Sequence, residues 1–336
     1  MRGLARLIRK LETSMGVPPG SLIAAALRLR YGATTSYAVG GRKIRLPGPH
    51  RLPHYQKKNR LYDRFLPYLA SSLNSPDRLV IDVGANVGDT VYNIYDFCTN
   101  PLLCIEGDDR FFALLQENVA ALPGGATRIV CEKRLVGTGA YIGSLSSNGS
   151  TAHLSVADGK TTGQATRGLD TIVSERGFRH DQVTLVKVDT DGFDGDVLKS
   201  ASRIIEQSRP ALFWENQFSA PYQRHILEAL YEDLQAAGYD HVWIFDNFGN
   251  LMLEECSFKN LADLNSYVAS QDSFGCPRAI WYTDVLAVPA PLVQQARGAV
   301  CEYRRELIEG GYKALCSGAH FSLRRSLTGA GPFTPQ

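Results

Sequence analysis

Residues 79–90 read Leu-Val-Ile-Asp-Val-Gly-Ala-Asn-Val-Gly-Asp-Thr. The apolar and β-branched residues that open this stretch predict a short parallel strand, and the two glycines predict a tight turn into a helix. A second apolar run ends in the acid Glu106, about one helix length downstream. A strand, a glycine turn, a helix and a strand that ends in an acid are typical of a sheet that binds an adenosine-containing cofactor.

The turn also indicates which cofactor it serves. Asn86 stands where a nicotinamide or flavin fingerprint has its middle glycine, and Asp82 lies two residues before Gly84. A carboxylate there would repel a pyrophosphate but can pair with an ammonium group. S-adenosylmethionine has an ammonium, a sulfonium and no phosphate, so the turn predicts this cofactor. We expect it to contact the turn and the end of the second strand, where Glu106 would accept the ribose hydroxyls, through Asp82, Gly84, Ala85, Asn86, Gly88, Glu106, Gly107 and Asp108.

Strand and helix patterns alternate from residue 79 onward, which predicts an α/β fold with a doubly wound, mostly parallel, seven-stranded Rossmann-like sheet. The predicted strands are 79–83, 102–106, 128–132, 184–189, 210–215, 241–246 and 279–288. The predicted helices are 88–98, 109–122, 168–176, 194–207, 221–237 and 259–269. Residues 143–166 are rich in Gly, Ser and Thr and are expected to form a loop or an insertion.

The sequence divides into a basic N-terminal segment (1–75), a cofactor-binding domain (76–290) and a C-terminal helix with a loose tail (291–336). In the first segment we expect an amphipathic helix with apolar residues at 4, 7, 8 and 11, which could lie on a bilayer or pack on its own domain. A hairpin over 35–46, a proline-rich loop and a helix over 61–73 should follow. The C-terminal helix is predicted over about 292–309.

Charge is distributed unevenly along the chain. Residues 1–60 contain thirteen Lys or Arg and one acid, Glu12, although the whole chain carries a net charge of only +2. This excess favours a polyanionic neighbour, such as an anionic membrane surface, a phosphorylated carrier or a nucleic acid. A solvated surface that offsets the acidic remainder is the alternative.

The remaining composition indicates a cytoplasmic protein, at most peripheral to the inner face of a membrane. The seven cysteines are widely spaced and form no Cys-x-x-Cys pair, which favours a reducing compartment. No apolar run is long enough to span a bilayer, and Arg6, Arg9 and Lys10 interrupt any secretory signal. The histidines lack metal-ligand spacing, and the run from Asp189 lacks the glycine and glutamate of a calcium loop, so no metal site is expected.

Further acids follow two later strands, at the edge where open α/β sheets bind ligands. Asp189 ends one predicted strand, Glu215 ends the next, and Asp191 lies in the turn after the first. These are the candidate catalytic residues, with Asp189 first, because a hydroxyl nucleophile needs a base. Candidate substrate residues are Asp170, Asp194 and Trp214. Helix capping is the alternative for Asp170, Asp191 and Asp194, and a place in the core is the alternative for Trp214.

Four blocks of sequence resemble the FkbM family of S-adenosylmethionine-dependent methyltransferases. They are residues 81–88; Ile105-Glu106 with Phe112, Leu115 and Asn118; Leu169-Asp170; and residues 187–198; Trp214-Glu215 and residues 282–287 also fit. The resemblance covers about residues 35–288. It implies a class I methyltransferase sheet whose last strand is antiparallel, and O-methylation, commonly of sugar hydroxyls in glycans or glycosylated natural products.

Two departures from the family pattern affect acidic positions. Gly107 follows Glu106 where the family usually has proline, and Asp191 and Asp194 stand where it usually has glutamates. Each aspartate keeps the charge but shortens the reach of the carboxylate by one methylene.

The sequence therefore favours a cytoplasmic O-methyltransferase that acts on a sugar, a glycan or a glycosylated metabolite, free or linked to a carrier. An NAD-type oxidoreductase and a non-catalytic, cofactor-binding scaffold are the alternatives. A nucleic-acid acceptor is not expected, because the chain lacks the (Asn/Asp)-Pro-Pro-aromatic run usual in base N-methyltransferases.

Overall fold

A computed structural model describes residues 34–48, 50–139, 142–147, 152–156, 164–273 and 279–317. The amphipathic helix predicted near the N-terminus lies outside these residues. The strands are β1 (Thr34–Val39), β2 (Arg42–Pro47), β3 (Leu79–Val83), β4 (Leu102–Glu106), β5 (Ile129–Lys133), β6 (Ile142–Ser147), β7 (Ala152–Val156), β8 (Gln164–Ala165), β9 (Val183–Val188), β10 (Ala211–Asn216), β11 (His241–Asp246), β12 (Leu251–Cys256) and β13 (Thr283–Val288).

Helices connect these strands and flank the sheet. They are α1 (Leu52–Lys58), α2 (Leu66–Ser72), α3 (Asp89–Ile94), α4 (Asp109–Ala121), α5 (Gly125–Arg128), α6 (Leu169–Glu175), α7 (Asp194–Lys199), α8 (Ser202–Ser208), α9 (Pro221–Ala236), α10 (Phe258–Ser273) and α11 (Val293–Ser317). None of the helices in these ranges is both long enough and apolar enough to cross a membrane.

The central sheet has eight strands in the order β12-β11-β13-β10-β9-β3-β4-β5. Strands β3, β4, β5, β9 and β10 pair in parallel, whereas β13 is antiparallel to both of its neighbours. The mostly parallel α/β sheet and its antiparallel last strand are therefore confirmed. The predicted count of seven strands is wrong, because β12 adds an antiparallel edge strand to β11.

The sheet is covered on both faces, because successive side chains of its strands belong alternately to two apolar clusters. In β3, Val80 belongs to one cluster and Ile81 to the other, and in β4 Cys104 and Ile105 divide in the same way. Successive side chains of a strand point to opposite faces, so a fully buried parallel strand needs apolar residues on both. Helices α2, α3, α4 and α11 supply the first cluster, and α6 to α10 supply the second.

Several sequence predictions about local structure are corrected. Residues 143–166 are not a simple loop, because β6, β7 and β8 form a small antiparallel sheet there. The helix predicted over 194–207 is divided into α7 and α8, and the helix predicted over 61–73 begins only at Leu66. Helix α1 was not predicted, because its prolines suggested a loop; Pro53 lies in its first turn, where proline is tolerated.

The described part of the N-terminal segment packs on the sheet. Ile44 of the hairpin and Phe65 before α2 belong to the same apolar cluster as β3 and β4. Asn118 of α4 holds the hairpin: its Oδ1 accepts from the Arg45 N–H at 2.8 Å, and its Nδ2 donates to the Arg45 carbonyl at 2.9 Å. The boundary at residue 75 stays a prediction, but the residues on its two sides share one core.

The C-terminal helix supports α2 from outside. The Tyr303 ring lies 5.5 Å from the rings of both Phe65 and Tyr68, centroid to centroid. Its hydroxyl donates to the Gly249 carbonyl at 2.7 Å. The chain segment before α2 is thereby held against the edge of the sheet that carries the site described next.

Candidate active site

The glycine turn between β3 and α3 brings three strand ends together. Gly84 has a φ of +77°, and a Cβ at this position would lie 1.8 Å from the Asp189 carbonyl oxygen. The N–H groups of Gly84 and Ala85 both donate to the Ile105 carbonyl, at 2.9 and 3.0 Å. The turn is therefore packed between the ends of β4 and β9, and only glycine fits at residue 84.

Glu106 joins the turn to the end of β4. Its Oε2 accepts from the Asn86 N–H at 2.8 Å, and its Oε1 accepts from the Asp108 N–H at 2.7 Å. Burial raises the pKa of Glu106 to about 7, although these N–H groups favour the ionised form. The carboxylate is thus fixed in place, and each oxygen keeps a lone pair that can accept a hydroxyl.

A cavity of about 750 Å³ opens at the carboxyl ends of β3, β4, β9 and β10. Its size is that of a small-molecule site. The turn and Glu106 form part of its lining, and helix α1 with the residues around it forms another part. Six carboxyl side chains line it: Asp63, Asp89, Glu106, Asp189, Asp191 and Glu215.

A row of four ionisable side chains crosses the sheet at this cavity, and two of them, Lys187 and Glu215, line it. Strand alternation places all four side chains on the same face of the sheet: Asp82, Lys187, Glu215 and Asp284. Asp82 is the register partner of Lys187, and Glu215 is the register partner of Asp284. Lys187 Nζ lies 3.0 Å from Asp82 Oδ1 and 3.3 Å from an Asp189 carboxylate oxygen. Burial alone would lower the pKa of Lys187, but the surrounding carboxylates outweigh burial and raise it.

The acids outnumber this lysine, and several of them are therefore hard to ionise. Burial, followed by Asp89 and Asp189, raises the pKa of Asp63 to about 8. Burial and the neighbouring acids also raise the pKa of Glu215 well above its usual range. Glu215 Oε2 is buried and accepts no hydrogen bond from the residues that the structure describes. Such a cavity favours a ligand with positive charge, which would compensate the acids as they ionise.

Four of the eight predicted cofactor residues line the cavity, namely Gly84, Asn86, Glu106 and Gly107. Ala85 is buried in the turn, and Gly88, with a φ of +91°, allows α3 to begin. The other two do not line the cavity and have partners within the chain: Asp108 caps α4 by accepting from the Arg110 and Phe111 N–H groups, and Asp82 pairs with Lys187. Their contact with the cofactor stays a prediction.

The three candidate catalytic residues, Asp189, Asp191 and Glu215, all line the cavity. The three candidate substrate residues do not, and these expectations are corrected. Asp170 caps α8 by accepting from the Arg203 and Ile204 N–H groups, and Asp194 accepts from the Thr190 hydroxyl at 3.0 Å. Trp214 is fully buried in the core, because Glu215, its neighbour in β10, takes the opposite face.

Sequence reasoning missed several residues of the cavity. Asp63 and Tyr62 reach it from the segment before α2, and His50 approaches the turn, with its Nε2 3.4 Å from Asn86 Oδ1. Nothing in their spacing links them to the turn. Lys187 did carry a signal, since a lysine inside an apolar strand needs a buried acid, and Asp82 is the acid in the neighbouring strand.

Comparison with known proteins gives a family match and several distant structural similarities. Residues 82–241 match the methyltransferase FkbM domain. The chain has no match among curated proteins. Three solved structures are similar to it: M. jannaschii TYW2 in complex with AdoMet, with 11% identity over 76% of this chain and 84% of that one and a TM-score of 0.40; an FkbM methyltransferase from Methylobacillus flagellatus KT, with 14% identity over 70% and 58% and a TM-score of 0.33; and P. horikoshii TYW2 in complex with MeSAdo, with 13% identity over 76% and 71% and a TM-score of 0.39.

At such identities and TM-scores the solved structures identify neither the activity nor the acceptor. The family match begins at Asp82, in the strand that leads into the glycine turn, and extends through β9 and β10 to the first residue of β11. It therefore spans the turn, Glu106 and the three candidate catalytic acids. An acidic cavity next to that turn fits the cationic S-adenosylmethionine and disfavours a pyrophosphate cofactor. The chain carries a methyltransferase FkbM domain over residues 82–241, and it is an S-adenosylmethionine-dependent methyltransferase.

Proposed function

We propose that the chain transfers a methyl group from S-adenosylmethionine to a hydroxyl of a sugar, a glycan or a glycosylated metabolite. The observation that carries this proposal is a single cavity lined both by the cofactor turn with Glu106 and by Asp189, Asp191 and Glu215. A hydroxyl is a poor nucleophile at neutral pH, so its methylation benefits from a carboxylate that accepts the proton. The cavity contains these three carboxyl groups at this edge of the sheet, and Asp189 is the most exposed of those that end a strand.

Each part of the cavity has a separate task. When bound, the cofactor supplies a sulfonium-activated methyl group. Glu106 accepts the ribose hydroxyls, and Gly84 allows the backbone to approach the cofactor closely. Asp189 is the first candidate base, because its side chain is 49% exposed and Lys187 fixes its orientation at 3.3 Å. Glu215 can hold a proton in the buried wall, since burial raises its pKa.

Aromatic side chains at the cavity support a sugar acceptor. Trp281 lines the cavity yet is 56% exposed, and Tyr282 lies next to it. Flat aromatic faces stack on the apolar faces of sugar rings, whereas carboxylates bind their hydroxyls, and both kinds of group line this cavity.

The substitution Asp189→Asn tests the assignment of the base. We expect turnover on a panel of sugars and glycans to fall about 10²- to 10⁴-fold, because the amide cannot accept the proton. Binding of S-adenosylhomocysteine, measured by calorimetry, should remain within a few fold. The matched control is Asp263→Asn, which changes an exposed helix acid that pairs with Lys259 and does not line the cavity. Full turnover by the Asp189→Asn chain with bound cofactor would exclude Asp189 as the base.

The proposal includes a cytoplasmic location with the basic segment against an anionic membrane. It is supported by the excess of Lys and Arg over residues 1–60. Co-sedimentation with vesicles that contain phosphatidylserine tests it: binding should weaken when Arg2, Arg6, Arg9 and Lys10 are changed to Gln. Equal binding of the unchanged chain and of this variant would contradict the membrane contact.

A further inference from the structure

Helix α1 turns one face toward the cavity. The lining includes Arg51, His54, Tyr55 and Lys58, whose spacing of three, four and seven residues is that of one helical face. The helix is anchored by Leu52, which is buried in the apolar cluster and also borders the cavity. The cationic face therefore has a fixed direction, toward the same cavity that holds the candidate base.

Exposure distinguishes the cations on the helix α1 side of the cavity from its two most buried acids. Glu106 and Glu215 are 7% and 9% exposed, whereas Arg51, His54 and Lys58 are all exposed. These two acids thus lie deep in the cavity with Lys187, which is 6% exposed, whereas Arg51, His54 and Lys58 lie at the rim. Lys58 makes no ion pair with any residue in the described ranges, so its charge is available to a ligand.

We propose that the rim formed by Arg51 and Lys58 binds an anionic group of the acceptor, and that the acceptor is a phosphate-bearing sugar. This inference rests on the proposed sugar O-methylation and names its substrate class. Free sugar phosphates, nucleotide-linked sugars and lipid-linked sugars share this chemistry.

The charge distribution gives such an acceptor one orientation. The carboxyl groups that line the cavity repel a phosphate, while a guanidinium and an ammonium at the rim attract it. With the phosphate held at the rim, a sugar hydroxyl is left to reach toward Asp189, and Trp281 can cover the ring. A neutral sugar would lack this anchor and could enter in several orientations.

A solvated basic surface is the competing explanation, and the helix offers a matched control for it. Lys57 is exposed like Lys58 and adjacent to it, but it does not line the cavity. A general attraction of anions to a basic helix would depend on both lysines equally. A built anion site would depend on Lys58 and Arg51 and would not depend on Lys57.

Calorimetry on the full chain with inorganic pyrophosphate tests the site without any methyl transfer. We expect pyrophosphate to bind, and binding to weaken at least about fivefold in the Arg51→Gln/Lys58→Gln double variant and to be unchanged in Lys57→Gln. All three substituted residues are exposed, so folding should be preserved. An absence of pyrophosphate binding, or equal losses in the double variant and in Lys57→Gln, would overturn the inference.

Turnover assays then distinguish this inference from the proposed function. Glucose 1-phosphate, UDP-glucose and a vesicle that carries a lipid-linked sugar phosphate identify the source of the phosphate, and methyl glucoside is the neutral comparison. Methylation of the neutral sugar without pyrophosphate binding contradicts the anionic acceptor but supports sugar O-methylation. Pyrophosphate binding through Arg51 and Lys58 supports the anion site even if none of these sugars is methylated, an outcome that would count against the proposed function alone.

Discussion

At the residue scale, Glu106 and Asp63 determine how strongly the cavity attracts a cation. Their carboxyl groups have pKa values of about 7 and about 8 in the folded chain, because burial disfavours the ionised forms. Near neutral pH, each of these two carboxyl groups is therefore protonated in a fraction of the molecules. A cationic cofactor binds best to the ionised cavity, so binding must be accompanied by proton release.

We predict that the affinity for S-adenosylmethionine rises as the pH increases from about 6 to 9, through the two pKa values. Calorimetry in buffers of different ionisation enthalpy measures both the affinity and the protons released. The substitution Glu106→Gln should remove the part of the pH dependence near 7, and Asp63→Asn the part near 8. An affinity that is flat over this range would contradict the assigned charge states.

The same groups affect stability in the opposite direction. The pKa of Glu106 is about 7 in the folded chain and near 4.5 in the unfolded chain. Between these two pH values the folded chain therefore binds more protons than the unfolded chain. The free energy of unfolding of the cofactor-free chain should therefore decline as the pH rises from about 5 to 8. This decline should be smaller in Glu106→Gln and in Asp63→Asn, because each variant lacks one of the two carboxyl groups.

The residues of the site were only partly predictable from the sequence. The turn, Glu106 and the acids at strand ends carry local signals, since parallel strands end at one edge of the sheet. Strand alternation could also have excluded Trp214 once Glu215 was assigned to the cavity. Asp63 and Lys58 carry no such signal, because only the packing of the N-terminal segment on the sheet brings them to the cavity.

At the scale of elements, the turn between β3 and α3 fixes the geometry of the cofactor side. Gly84 needs a left-handed φ and also approaches the Asp189 carbonyl. The hairpin turn between β1 and β2 contains a natural comparison, since Gly41 has nearly the same φ, +78°. Apart from its chain neighbours, no atom of the described residues would lie within 4 Å of a Cβ at Gly41. The pair therefore separates the cost of the conformation from the cost of the close approach.

We predict that Gly41→Ala lowers the free energy of unfolding by roughly 1–2 kcal/mol, the cost of the left-handed conformation alone. Gly84→Ala should cost a further 1–3 kcal/mol or so, because the methyl group displaces the end of β9. It should also weaken S-adenosylhomocysteine binding. Urea denaturation and calorimetry measure the two effects, and equal losses of stability in the two variants would show that the close approach is unimportant.

Strands were predicted correctly where an apolar run was uninterrupted, and they were missed where charged or small polar residues obscured the apolar pattern. Strands β3, β4 and β11 have the predicted bounds, because their apolar runs are flanked by turns. The edge strand β12 was missed, since Glu254 and Glu255 interrupt its apolar pattern, as charges commonly do on edge strands. The Gly, Ser and Thr content of residues 143–166 likewise concealed β6, β7 and β8.

At the scale of the whole molecule, the ionisable row joins the two halves of the sheet. Asp82 of β3 and Lys187 of β9 lie on adjacent strands inside the sheet and are 1% and 6% exposed. A buried ion pair adds little net stability, but the loss of one partner leaves an uncompensated charge. Here that charge would add to the acids of the cavity.

We predict that Lys187→Met lowers the free energy of unfolding by about 3–5 kcal/mol. The double variant Asp82→Leu/Lys187→Met should recover part of this loss, since it removes the orphaned acid, but not all, because Asp189 also faces Lys187. Urea denaturation of the two variants and of Asp82→Leu gives the coupling. A double variant no more stable than Lys187→Met would show that the pair does not act as a unit.

The packing of Tyr303 on Phe65 and Tyr68 has a consequence for the order in which the molecule is made. The ring that supports α2 is translated more than two hundred residues after α2 itself. Contacts so distant in sequence close late, at a substantial cost in chain entropy. The ribosome therefore delivers the cofactor turn long before Tyr303, and α2 gains this support only after every strand of the central sheet has been synthesised.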